Sequence, residues 1–285
     1  MKIKFTKMQA YGNDYVYIDA IHQTIKNPQR LSQIVSNRRF AIGSDGLVLI
    51  CTSEKADFQM RMFNPDGTEA EMCGNALRSI AKYVYEHNLT EKENLTIETL
   101  GGLQHVKVTV ENKIVVNISA NIGKPKFDTS KIPVLTPLKE FVNQEVSVLG
   151  KTFHITAVSV GNPHAITFID NVETMEVKKY GEVLENMVEL FPNKTNVTFA
   201  QVINRNRIKI REWERGTGET TSCGTGSCAT VAASIYLGLC DREVTVEQIG
   251  GDLFVEWNKE TGNITMTGPA YTVFESEIEI PESEE

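Results

Sequence analysis

A chain of 285 residues, 41% hydrophobic and 23% charged, is long enough for two domains of ordinary size and too apolar to be disordered. Its formal net charge of −8 argues against nucleic acid or an anionic membrane as partner. Its five cysteines are odd in number, widely spaced and free of Cys-x-x-Cys pairs, which fits reduced thiols better than disulfides or a zinc site.

The first residues lack a signal-peptide core, and no apolar run approaches the roughly 20 residues of a membrane helix. The expected location is the cytoplasm. Lys2 to Met8 and Tyr15 to Asp19 read as strands around a turn at Gly12-Asn13-Asp14. Pro28 to Asn37 predicts a helix with Leu31, Ile34 and Val35 inward. Ile42 to Gly46 reads as a loop before an apolar strand, Leu47 to Cys51. Pro65-Asp66-Gly67 is a turn signal, and Cys73-Gly74-Asn75 follows it. Beyond lie Leu77, Ile80, Ala81 and Val84, a stripe at helical spacing. Leu95 to Ser119 carries strands with a Gly-Gly turn between them. Residues 121–150, with Pro125, Pro133 and Pro137, open on the expected domain junction.

The second half replays the first. A strand leads into Val160-Gly161-Asn162-Pro163-His164, and another runs through Phe168. A helix is expected around Tyr180 to Leu190, with Val183, Leu184 and Met187 inward. Arg211 to Cys228 reads as a strand, a glycine-punctuated turn and a cysteine at the mouth of a helix. That helix is marked by Cys228, Val231, Ala232, Ile235 and Leu239. After Gly268-Pro269, Phe274, Ser276, Ile278 and Ile280 alternate with Glu275, Glu277 and Glu279, as in a half-buried strand. The acids after Pro281 read as a solvated tail.

The two halves keep register. Cys73 and Cys223 are 223 − 73 = 150 apart, as are Arg61 and Arg211, Phe63 and Trp213, and Glu69 and Glu219. Gly12-Asn13 answers Gly161-Asn162 at 162 − 13 = 149, and Gly101-Gly102 answers Gly250-Gly251 at 250 − 101 = 149. Such a long period means two related halves and not a solenoid.

A cysteine at a helix N-terminus sits among unpaired N–H groups and the positive end of the macrodipole, which favour thiolate. Cysteine ordinarily titrates near about 8.5, so modest tuning suffices. If the halves pack about a pseudo-twofold, both sulfurs can face one cleft. A thiolate and a thiol on opposite sides of a substrate carbon form a base and an acid that invert a stereocentre. The helix N-termini can hold a carboxylate and the enediolate charge that develops. Cys51, Cys228 and Cys240 lack the duplicated context and read as packing.

Gly12-Asn13-Asp14, Asn64-Pro65-Asp66-Gly67, Cys73-Gly74-Asn75, Gly161-Asn162-Pro163-His164, Asn196-Val197, Glu214-Arg215-Gly216 and Cys223-Gly224-Thr225-Gly226 together resemble the motif set of the diaminopimelate epimerase family. The resemblance implies an α+β fold of two homologous domains from an internal duplication. Each is a curved, mostly antiparallel sheet wrapped around a central helix, with the active site in the cleft between them. The expected domains are 1–122, with a C-terminal strand in 270–285 returning to it, and 123–269. It implies an isomerase without cofactor that interconverts LL- and meso-diaminopimelate on the route to lysine and peptidoglycan.

Cys73 and Cys223 would be the acid–base catalysts, with main-chain N–H groups of Gly74, Asn75, Gly224 and Thr225 on the α-carboxylate. Asn64, Asn162, Asn196 and Arg215 would hold the distal end, a planar guanidinium suiting a carboxylate. Asn13 and Glu214 would lie near the reacting ammonium. His164 has two readings, orienting a thiol or making a structural hydrogen bond. Ala10, Ala76 and Ser79 depart from the family pattern, and Ala76 puts a methyl on the first turn of an anion-binding helix. The partner expected is a small amino-acid substrate, with no metal, nucleic acid or membrane, and a homodimer is compatible. Three alternatives stay open: a cofactor-independent racemase of another amino acid, a cysteine hydrolase using Cys223 with His164, and a non-catalytic amino-acid binder.

Overall fold

The computed structural model describes residues 2–280, so the acidic tail expected after Pro281 lies outside the described residues. The chain divides into two units, one from the start to Ala120 together with residues from Gly268 onward, the other Asn121–Thr267.

The first unit runs β1 (Lys2–Ala10), β2 (Asn13–Asp19), α1 (Pro28–Val35), β3 (Leu47–Cys51), β4 (Phe58–Phe63), β5 (Glu69–Ala70), α2 (Gly74–Glu86), β6 (Asn94–Thr99), β7 (Gly102–Glu111) and β8 (Ile114–Gly123). The second runs β9 (Gln144–Val148), β10 (Lys151–Ser159), β11 (Pro163–Phe168), α3 (Val177–Glu185), β12 (Asn196–Asn204), β13 (Arg207–Glu214), β14 (Gly218–Thr220), α4 (Gly224–Tyr236), β15 (Glu243–Gln248), β16 (Gly251–Trp257) and β17 (Ile264–Gly268). The last strand, β18 (Tyr271–Glu279), pairs antiparallel with β1 in the first unit.

Strand pairings repeat between the units. In the first, β18, β1 and β2 are antiparallel neighbours, β2 and β3 are parallel, β3 and β4 antiparallel, and β4 pairs parallel with β6. In the second, β9, β10 and β11 are antiparallel, β11 and β12 parallel, β12 and β13 antiparallel, and β13 pairs parallel with β15. Side chains alternate across each sheet. Ile3, Phe5, Val16, Ile18, Leu47, Leu49 and Phe63 form one core with Leu31 and Val35 of α1. The residues between them, Val48 and Met62 included, point to the opposite face, where α2 packs on β1, β2 and β7. Likewise Phe153, Ala165, Val197 and Phe199 join Tyr180 and Leu184 of α3. His164, Thr198 and Glu212 fall on the face packed by α4.

Asn75 to Val84 of α2 and Gly226 to Ser234 of α4 are buried all the way round, so each is the core of its unit and not an amphipathic surface helix. Both helices end in a left-handed residue with the paired bonds of a Schellman motif. In α2 this is Asn88 (φ 56°), with Leu89 N–H on Val84 O at 2.9 Å. In α4 it is Gly238 (φ 74°), with Leu239 N–H on Ser234 O at 2.8 Å. Leu239, expected on the helix stripe, is therefore past its end and exposed.

Three further expectations are corrected. The β1–β2 turn is Tyr11-Gly12 (φ 56° and 84°), the left-handed pair of a type I′ hairpin, which puts Asn13 in β2. Helix α3 stops at Glu185, with Val183 exposed and Met187 beyond the helix, packed on its core. In β18, Phe274 and Ser276 are exposed and only Ile280, just past the strand, is fully buried. The strand adds to the sheet margin beyond β1, where less of the unit covers it.

Candidate active site

Cys73 and Cys223 occupy the same local position, the N-cap of the central helix of their unit. Their backbones agree closely, φ −137° and ψ 123° against φ −137° and ψ 111°. Each is followed by glycine at the first helical residue, and the early N–H groups of a helix have no intrahelical partner. Gly74, Asn75, Gly224 and Thr225 thus stand where an anion can be received.

In the first unit Asn13 is the hub. Its Nδ2 donates to Asp45 Oδ2 at 2.9 Å, which turns its Oδ1 to the Cys73 thiol at 3.4 Å and to Asn75 Nδ2 at 3.3 Å. Asp45 is held in turn by Arg38 at 2.8 Å and by the Asp14 N–H at 3.0 Å. Asn75 is buried and accepts from Arg78 at 2.6 Å through Oδ1. Asn64 is half-buried on the turn after β4, with its Nδ2 on Thr68 Oγ1 at 2.9 Å.

The second unit builds its hub differently. Asn162 Nδ2 donates to Thr225 Oγ1 at 3.3 Å, so its Oδ1 accepts from His164 Nε2 at 3.0 Å. That network assigns the proton of neutral His164 to Nε2 and leaves an Nδ1 lone pair. Burial depresses His164 to about 3, so it stays neutral across the physiological range. The Cys223 sulfur accepts from Gly226 N–H at 3.4 Å and touches Thr225 Oγ1 at 3.4 Å. Glu214 ends β13 and accepts from the Thr220 hydroxyl. Burial and the nearby Glu212 push it up to about 7.

Asn196 is buried, and its amide is taken up by backbone. Nδ2 donates to Pro163 O at 3.2 Å and Oδ1 accepts from Arg215 N–H at 2.8 Å, so it sets the strand end that carries Arg215. The exposed Arg215 guanidinium donates to Asn193 O at 3.0 Å.

The expectation that a helix N-terminus makes Cys223 a ready thiolate is reversed. Burial, then the charges of Glu212 and Glu214, push its thiol well above the ordinary range. Thr225 and the Gly226 N–H pull the other way and lose. Two residues near the cysteines escaped sequence reasoning, Asp45 and Glu212. In the sequence Asp45 reads as a loop residue. Glu212 sat in a polar-apolar alternation that reads equally well with its side chain in water. The one available signal for Glu212 was its repeat partner, Met62, which is apolar.

A family model described as diaminopimelate epimerase matches residues 5–127 and 156–273. A diaminopimelate epimerase of Methanococcus maripaludis is 51% identical over 278 residues, covering 98% of this chain and 100% of that protein. One from Acetivibrio thermocellus is 45% identical over 280 residues, with the same coverage. Among solved structures, a Bacillus anthracis phenazine biosynthesis protein of the PhzF family has a TM-score of 0.72 at 22% identity, covering 98% of this chain and 100% of that one. A hydroxyproline epimerase from Agrobacterium vitis has a TM-score of 0.69 at 12% identity, covering 97% and 91%. These two likenesses are of fold, whereas the match of family model and sequence spans nearly the whole chain: it belongs to the diaminopimelate epimerase family.

Proposed function

We propose that this protein is an isomerase that interconverts LL- and meso-diaminopimelate, with Cys73 and Cys223 as its acid–base pair and no cofactor. The observation that carries the reading is the duplicated cap, one cysteine in the same backbone conformation at the head of each central helix. A single-nucleophile hydrolase has no use for the second copy.

The chemistry calls for one sulfur on each face of the α-carbon. The thiolate takes the α-proton, and the electron pair passes into the carboxylate as an enediolate. The other thiol then gives its proton to the opposite face. Protons balance: the base ends as thiol and the acid as thiolate, and the reverse reaction exchanges them. N–H groups of Gly74, Asn75, Gly224 and Thr225 suit the carboxylate whose charge grows in the transition state. Asn13 and Glu214 suit the ammonium. Arg215, with Asn64 and Asn162, suits the distal amino-acid end, and Asn196 contributes by setting the backbone of Arg215. Such a product feeds lysine and peptidoglycan precursor synthesis.

The test is epimerisation by four alanine variants. Cys73→Ala and Cys223→Ala are expected to lose activity at least about 1,000-fold, the scale of removing an acid–base group. Cys228→Ala and Cys240→Ala are expected to keep most of it. Full activity in either of the first two overturns the two-base assignment.

A further inference from the structure

Beneath Cys223 the second unit carries a polar cluster that the first unit lacks beneath Cys73. Glu212 and Thr198 are directly paired across β13 and β12, on the face toward α4. Glu212 is 3% exposed and His164 is wholly buried. His164 Nδ1 lies 3.3 Å from Glu212 Oε1, yet neither carboxyl oxygen nor Nδ1 has a well-aligned hydrogen bond. The carboxyl presses on the first turn of α4: a Cβ on Gly226 would lie 1.7 Å from Glu212 Oε2. Gly226 is the residue whose N–H caps the Cys223 sulfur.

At the matching repeat positions the first unit has Met62 for Glu212, Val48 for Thr198, Ala76 for Gly226 (each 150 apart) and Tyr15 for His164 (149 apart). Packing the same strand pair under the same helix turn is thus achieved elsewhere in this chain with apolar residues. A buried, poorly satisfied carboxyl costs free energy that such a solution avoids. A strongly shifted acid beside a candidate catalytic group points to function and not to packing.

We propose that Glu212 is a positioning residue for the epimerisation that makes Cys223 the later of the two cysteines to lose its proton as the pH rises, with His164 fixing the carboxyl. This rests on the assignment of Cys223 as an acid–base group. The titratable and charged groups around that sulfur are Glu212 and Glu214 from β13 and His164 from β11, with Arg215 acting on His164. Burial raises Glu212 to about 8, opposed by the Cys223 thiol and the Thr198 hydroxyl. At neutral pH the carboxyl proton therefore lies between Glu212 and the His164 Nδ1 lone pair. On raising the pH that proton leaves first, and the charge left behind suppresses loss of the thiol's own proton. Below that point the un-ionised carboxyl does not repel the thiolate formed when Cys223 gives its proton away, so turnover is not blocked. The two cysteines are thereby made inequivalent, with the Cys223 thiol persisting to higher pH.

The test is the pH dependence of alkylation by iodoacetamide, followed for each cysteine by peptide mass on the full chain, with folding checked by circular dichroism. The Cys223 midpoint is expected to lie above that of Cys73 in the unsubstituted protein. In Glu212→Gln it is expected to fall by about one pH unit or more, the usual effect of removing a close like charge. Glu212→Met, which also removes the charge, should give the same fall, and Glu212→Asp a smaller one. An unchanged Cys223 midpoint in a folded neutral variant overturns the proposal, as does an equal shift at Cys73. If neither variant folds, a Cys223 midpoint at or below that of Cys73 in the unsubstituted protein overturns it, and one above supports it. Alkylation needs no substrate, so failure to epimerise diaminopimelate would count against the proposed function alone.

Discussion

Cys73 and Cys223 share a backbone conformation and differ in what their sulfurs meet, an asparagine carbonyl oxygen in one unit and a backbone N–H among carboxyls in the other. The buried Glu212 and His164 carry a stability signature. Glu212, raised in the folded state, binds its proton more tightly than in the unfolded chain, so its contribution is intact below about pH 4.3 and lost as pH rises to about 8. His164, depressed to about 3, works in the opposite sense, favouring the fold as pH rises through about 6.5. Denaturant unfolding at pH 6.5 and pH 9 should therefore show a loss toward pH 9 that Glu212→Gln reduces. An unchanged difference would mean that Glu212 is not protonated in the fold. If Arg215 meets the distal carboxylate, as proposed, lysine, which lacks that group, should be a far poorer substrate than diaminopimelate. Arg215→Met should cost diaminopimelate turnover far more than any turnover of lysine, and equal losses would remove Arg215 from the distal site. Both cysteines and Asn13 were legible in the sequence, because a duplicated turn marks them. Glu212 and Asp45 were not, because a carboxylate in an alternating strand or a loop reads as solvated until the layer above it is known.

Helix α4 and strand β13 meet where Gly226 leaves room for Glu212, so neither element can change alone. Gly226→Ala is expected to destabilise by about 1–3 kcal/mol through overpacking. Adding Glu212→Met rebuilds the residue pair of the first unit, Ala76 with Met62, and should recover most of that loss. Thermal melts of the two single variants and the double variant measure the coupling. Purely additive losses would contradict the contact. This pairing also accounts for Ala76, which departs from the family pattern in the unit where no carboxyl occupies the space. The central helices were legible from apolar spacing and their caps. Their ends were less so: Leu239 continues the α4 stripe by spacing, but the left-handed Gly238 has already turned the chain. The same limit shows at α3, whose apolar pattern runs past Glu185 because Met187 packs from outside the helix. Exposure of β18 could not be read from its alternation, since a margin strand and an interior one show the same period.

Across the whole molecule, the two units repeat one sequence of strand pairings, and β18 takes beside β1 the place that β9 takes beside β10. The register of 149–150 residues made the duplication legible, and the corresponding hairpins close differently, with two residues between paired Ala10 and Asn13 and three between Ser159 and Pro163. A fold built twice presents the same cysteine cap twice, and that repetition is what a two-base inversion requires. The direct test is incubation of the purified protein with LL-diaminopimelate in deuterated water, without added cofactor, read by chiral separation and mass. Meso-diaminopimelate carrying one deuterium at the inverted α-carbon is expected from the unsubstituted protein and from neither Cys73→Ala nor Cys223→Ala. Epimerisation that persists undiminished when either cysteine is removed would contradict it.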